Sequence, residues 1–119
     1  MVRAVRGAIQ VGADSRDEIW AASARLVREI MRANRLDERG LVSIVFSMTG
    51  DLSAGNPAAG LRQTGFSATP LFCVQEARVA GGMPRVIRVL VTFRARWRQH
   101  PVGVYLDGAR ALRPDLAEG

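Results

Sequence analysis

The sequence predicts an α+β domain: a mixed β-sheet with helices packed on one face. Two patterns carry that reading. Apolar residues recur at helical spacing from Ile19 to Met31, whereas LVSIVFSMT (41–49) and RVIRVLVTF (85–93) have the alternation or apolar density of strands. In chain order the elements read β-α-β-(α)-β-β-β, with no internal repeat, linker or low-complexity segment, so one domain over residues 1–119 is expected.

Residues 2–11 form the first strand, with alternation broken at Gly7. Ser15 with Glu18 makes a capping box, and Asp14 and Asp17 put negative charge at the positive end of the helix dipole. Ile19, Trp20, Ser23, Leu26, Val27, Ile30 and Met31 then follow as one stripe, with Arg16, Arg25, Arg28 and Arg32 largely off it. The helix ends near Asn34. In 41–49, Val42, Ile44, Phe46 and Met48 share one strand face, and Ser43, Val45 and Ser47 the other. Asn56 as N-cap and Pro57 at the first helical position open a short helix that Gly65 closes. ATPLFCVQE (68–76) reads as a third strand, Gly81-Gly82 as a turn, and 86–94 as the central strand, apolar on both faces. GVYLDGARAL suggests a short strand or hairpin. Beyond it, the tail from about Arg113 has little apolar area to anchor it and is expected to be loose until a ligand binds.

Net charge is +6, and all 17 cationic residues are arginine. A uniform preference for arginine on the surface accounts for most of them; the functional reading makes some into bidentate forks for carboxylate or phosphate. RARWRQ (94–99) interleaves arginine with Trp97 as single-strand binders do, but this pattern is more often a solvated strand end, and no nucleic-acid partner is expected. No apolar run reaches the roughly 20 residues of a membrane helix, and MVRAVRGAIQ has no signal-type apolar region. A lone cysteine excludes an internal disulfide and fits a reducing cytoplasm.

There is no P-loop and no GxGxxG. The single histidine, His100, sits beside Pro101 in a polar stretch, which poorly supports a histidine triad or metal cluster, and no cofactor is expected. What remains is a set of arginines at awkward places with one acid nearby. Arg6 interrupts the first strand, Arg62 lies on the short helix, Arg88 lies mid-strand and Arg113 precedes Pro114. Glu76 closes CVQE and Tyr105 sits in VYL. An unpaired buried guanidinium costs several kcal/mol or more. Spacing favours a salt bridge between Arg88 and Glu76, yet one acid cannot satisfy several such arginines, and surplus cation wants an anionic ligand.

VRGA (5–8), CVQE (73–76), GGMPRVIRVLVT (81–92), VYL (104–106) and LRPDL (112–116) resemble, in order and spacing, the trimeric chorismate mutases of the AroH class. The resemblance covers nearly the whole chain. It implies a homotrimer with a pseudo-α/β-barrel core, active sites in clefts between subunits, and conversion of chorismate to prephenate in aromatic amino-acid biosynthesis. By position it makes Arg88 the cation beside the substrate's ether oxygen and puts Glu76 and Cys73 at the ring hydroxyl. Arg6 and Tyr105 would hold a carboxylate, with Arg62 and Arg113 nearby. Segment 56–62 would face a neighbouring chain's site, where Asn56 and Ala59 replace an aromatic and a lysine. The alternatives are a trimeric enamine/imine deaminase-like protein, which also binds carboxylates at a subunit cleft, and a basic nucleic-acid-binding module.

Overall fold

Ser15 opens the first helix as its capping box predicts. Its backbone is extended, its Oγ accepts the Glu18 amide at 3.2 Å, and Asp17 and Glu18 occupy the first turn. The computed structural model describes residues 1–114, and the following strands and helices are assigned: β1 (Val2–Gln10), α1 (Arg16–Ala33), β2 (Leu41–Met48), α2 (Pro57–Arg62), β3 (Leu71–Gln75), β4 (Val86–Arg94) and β5 (Val104–Leu106). Short 3₁₀ helices cover Glu38–Gly40 and Asp107–Leu112. The expectation for the tail falls, from residue 115 onward, outside the described residues.

The five strands form one mixed sheet in the order β3-β2-β4-β1-β5. β4 is central and antiparallel to both β1 and β2, while β3 and β5 add parallel edges. One face packs under the helices: Val5 and Ile9 of β1, Ile44 and Phe46 of β2, and Ile87, Val89, Val91 and Phe93 of β4 meet the buried stripe Ile19, Leu26, Val27 and Ile30. Gly7 breaks the alternation of β1 for a steric reason. A Cβ there would lie 2.7 Å from the Val104 carbonyl oxygen and 2.8 Å from Ile30 Cδ1, so only glycine lets β5 and α1 close on this strand. At the far end of α1, buried Asn34 donates Nδ2 to the carbonyls of Ile30 and Val102 and accepts the Val102 amide, tying the helix terminus to the segment that enters β5.

One boundary departs from expectation, and two further details go beyond the sequence reading. β4 is central, as expected, and its two apolar faces are covered unequally. Its odd-numbered residues from Ile87 to Phe93 are fully or nearly fully buried, but Leu90 is 40% exposed and Arg88 and Thr92 are half-buried. α1 and α2 cover one side of the sheet only; on the other, the second 3₁₀ helix buries Ala8 and Val86, while Phe72, Val74 and Leu90 are exposed. β3 starts at Leu71 rather than 68 because the preceding residues wrap a carboxylate: Glu38 accepts the amides of Ser67, Ala68 and Thr69 and the Thr69 hydroxyl. Finally, of the short strand or hairpin expected near the end, the short strand is present: β5 runs parallel to β1 and turns directly into the second 3₁₀ helix.

Glu38 is one of three carboxylates that fasten loops. Asp14 accepts the amides of Ser53 and Ala54, and Asp51 accepts the Thr49 hydroxyl and the Arg85 amide. All three are held below the usual carboxylate range: Glu38 chiefly by the Ala68 N–H, Asp14 chiefly by the Ser53 N–H, and Asp51 chiefly by the Thr49 hydroxyl. A carboxylate whose pKa falls on folding stabilises the fold above its unfolded pKa and loses that contribution as pH falls through the folded value. Thermal melts should therefore be level from neutral pH to about 5 and drop below about 4, and Glu38→Gln should make the drop shallower.

Candidate active site

The register of the sheet sets a row of side chains across the open face. Arg88 lies opposite Ser47 on β2 and opposite Ala8 on β1; Ala8 in turn lies opposite Tyr105 on β5, and Ser47 opposite Val74 on β3. Partners at one level of a sheet point to the same face, so these residues stand on the side away from α1 and α2, where Ala8 alone is buried, beneath Ala109 of the second 3₁₀ helix. Arg6, opposite Leu90, occupies the next row. It is diagonal to Arg88, a relation that places residues about 7–8 Å apart.

Glu76 follows β3 immediately, and its amide donates to Met48 O at 2.8 Å. Its side chain meets Arg88: Oε1 accepts from Arg88 Nη1, and Oε2 accepts the Ser47 hydroxyl at 2.7 Å. The pairing favoured by spacing is therefore present. It is not a sealed core salt bridge, because the Arg88 side chain is 40% exposed and that of Glu76 20%. A guanidinium has five N–H donors, and Glu76 engages Arg88 only through Nη1. The remaining donors stand beside a cleft of about 470 Å³ lined also by Thr49, Asp51, Arg78, Met83 and Pro84.

A second cleft, of about 350 Å³, holds Arg6, Tyr105 and Arg113 with Val5 and Val102. The Arg113 guanidinium lies over the Tyr105 ring, 5.9 Å from its centroid. Among the described residues no carboxylate pairs with Arg6. Thus the face presents at least two guanidinium groups, Arg88 and Arg6, and Glu76 is bonded to only one of them. That imbalance suits a small molecule with more than one negative charge.

Two candidates stand apart. Cys73 is level with Phe46 and packs toward the helix-covered core; burial pushes its thiol pKa up, which disfavours the thiolate a nucleophile would need. Arg62 ends α2, on the helix layer, and lines neither cleft. Conversely, sequence reasoning passed over Ser47. The signal was there: the alternation of 41–49 already put it on the face opposite Phe46. His100 is exposed in the loop between β4 and β5.

The comparisons with known proteins agree with one another. Residues 2–116 match the family model for chorismate mutase type I. The chain is 40% identical to the chorismate mutase AroH of Thermus thermophilus over 118 residues, covering 98% of this chain and 97% of that one. It is 35% identical to the chorismate mutase AroH of Bacillus subtilis over 119 residues, covering 98% and 94%. A solved chorismate mutase from Clostridium thermocellum superposes with a TM-score of 0.84 at 35% identity, covering 92% of this chain and 98% of that chain. Among the described residues no helix is long and apolar enough to cross a membrane. With the match running almost from end to end, this chain belongs to the chorismate mutase type I family.

Proposed function

We propose that the open face of the sheet binds chorismate and catalyses its Claisen rearrangement to prephenate by electrostatics and conformational restriction. The observation that carries this reading is the row Ser47–Arg88–Ala8–Tyr105, with Arg6 diagonal to Arg88. A pericyclic reaction moves no proton and needs no nucleophile. As the C–O bond breaks, electron density builds on the ether oxygen, and a fixed guanidinium stabilises it more in the transition state than in the ground state. Arg88 takes that role, because a central strand holds it and it lines the cleft beside Glu76.

Glu76, oriented by Ser47 and Arg88, is placed to accept the ring hydroxyl; Cys73, turned to the helix-covered core, is given no contact there. Arg6 and Tyr105 hold a carboxylate, with Arg113 over the tyrosine ring as a further cation. Two carboxylates held by separate arginines keep the substrate in its compact, reactive conformer. We assign these sites to the interfaces of a homotrimer. The exposed Phe72, Val74 and Leu90 on the open face suit contact with a neighbouring copy. A neighbour's segment 56–62 would then bring Arg62 to a site that it does not reach in its own chain. An assay of chorismate loss, run on a fraction whose mass is read by light scattering, tests both parts. An active trimer is expected; an inactive trimer overturns the reaction, and an active monomer overturns the shared sites.

The same mechanism sets a pH profile. No general acid or base takes part, so kcat should show no bell between about pH 6 and 9. Two limbs bracketing neutrality would indicate acid–base chemistry, as a deaminase requires.

A further inference from the structure

Asp107 sits at the junction of β5 and the second 3₁₀ helix, between Tyr105 and Arg113 in sequence. Its φ is +55°, in the left-handed region that side chains other than glycine, asparagine and aspartate rarely adopt. No side-chain hydrogen bond caps the start of this helix. What engages Asp107 is a distant residue: Oδ2 accepts from Nη1 of Arg25, in the middle of α1, at 2.9 Å. The next residue lies directly on β1. A Cβ on Gly108 would come within 1.6 Å of Gln10 Oε1, so a larger residue would push the Gln10 side chain aside. Gln10 then donates Nε2 to the Pro84 carbonyl at 3.0 Å, and Pro84 lines the Arg88 cleft. The residue after Gly108, buried Ala109, packs with Ala8 and Val86, and Met83, Tyr105 and Leu112 close around them. This small second core lies between the two clefts.

We propose that Arg25 and Asp107 form a positioning latch that sets Tyr105 and Arg113 in register with Arg88. Neither latch residue lines the Arg88 cleft or the Tyr105 cleft; both border a smaller hollow against α1. They act through the 3₁₀ helix. The pair is about half exposed, 45% and 47%, so its contribution to global stability is small. Its effect is local. With Arg25 gone, the Asp107 carboxylate loses its tie to α1, the 3₁₀ helix is free to turn on Gln10, and Tyr105 and Arg113 shift against the fixed Arg88. The kinetic part of this proposal rests on the chorismate reading; the geometric part does not.

Tyr105 is the only tyrosine in the chain, so ring-labelled tyrosine gives one NMR environment to follow. Arg25→Ala is expected to shift or broaden that signal without any ligand present, and Arg25→Lys, which keeps the charge, to restore it. In the chorismate assay, Arg25→Ala should raise KM about three- to tenfold with kcat within about twofold, the pattern of lost uniform binding. The effect should shrink in a chain truncated after Leu112, where Arg113 is absent, because residues that act through one another are not additive. A lowered melting temperature with an unmoved Tyr105 signal and unchanged KM overturns the latch, as does a KM rise of equal size in the truncated chain. If the signal responds as described but the wild-type chain turns over no chorismate, the latch stands and the activity assignment fails.

Discussion

Arg88→Ala is expected to lower kcat by at least about 10²–10³, the range for loss of one oxyanion donor, and by more because a full charge is lost. The protein should stay folded. Arg88 is half-buried at the sheet surface, not in the core, and after its removal Glu76 keeps the Ser47 hydroxyl and its own backbone bond to Met48. Arg88→Lys should recover only part of the loss, since a lysine ammonium is a compact point charge and cannot both pair with Glu76 and present a planar fork to the substrate. Steady-state kinetics alongside circular dichroism check this. Near-wild-type turnover in Arg88→Ala would remove the basis of the mechanism.

Phe46→Ala should act on stability instead, costing about 3–5 kcal/mol. Phe46 is fully buried and level with Val89 on one side and Cys73 on the other, one position along β2 from Ser47. It is the back of the strand whose front bears the site. Truncating it leaves a void where β2 meets the helix layer. That loss is a large fraction of the roughly 5–15 kcal/mol that a domain has in all. Denaturant melts should report the loss. KM of the molecules that remain folded should change little, because the open face keeps its register.

These two variants also mark what was legible in advance. Local chemistry was: the Ser15–Glu18 box and the Asn56-Pro57 start both open helices where expected, and β2 and β4 fall within a residue of their patterns. Exposure of Leu90 was not, because an apolar residue on a strand looks the same whether its face is covered by a helix or left bare. Nor was the place of β5. Three residues carry too little pattern to choose a neighbour, and the choice depends on Gly7 yielding space from a hundred residues away in sequence. In the site, Arg88 and Glu76 could be paired from spacing, while the roles given to Cys73 and Arg62 came from resemblance. Within this chain neither residue lines the clefts, one being turned to the core and the other carried on the helix layer. The Asp107-Gly108 dipeptide signalled a turn, but its link to Arg25, 82 residues away, had no signal in a one-dimensional reading.

The position of β1 has a kinetic consequence. It is the first strand made, yet both its neighbours come from the last third of the chain: Val2 lies opposite Arg94, and Gly7 beside Val104. Until those segments have been synthesised and have diffused back, β1 has an unpaired edge on each side and α1 has only part of its floor. Pairing β1 with β4 and β5 therefore closes loops that span most of the chain, an entropic cost met before the contacts that reward it. Refolding should resemble that of topologically complex domains, on the millisecond-to-second scale rather than the microseconds of helical bundles, on the order expected from such non-local pairing. The residues that delay folding are those that align Arg88 with Tyr105.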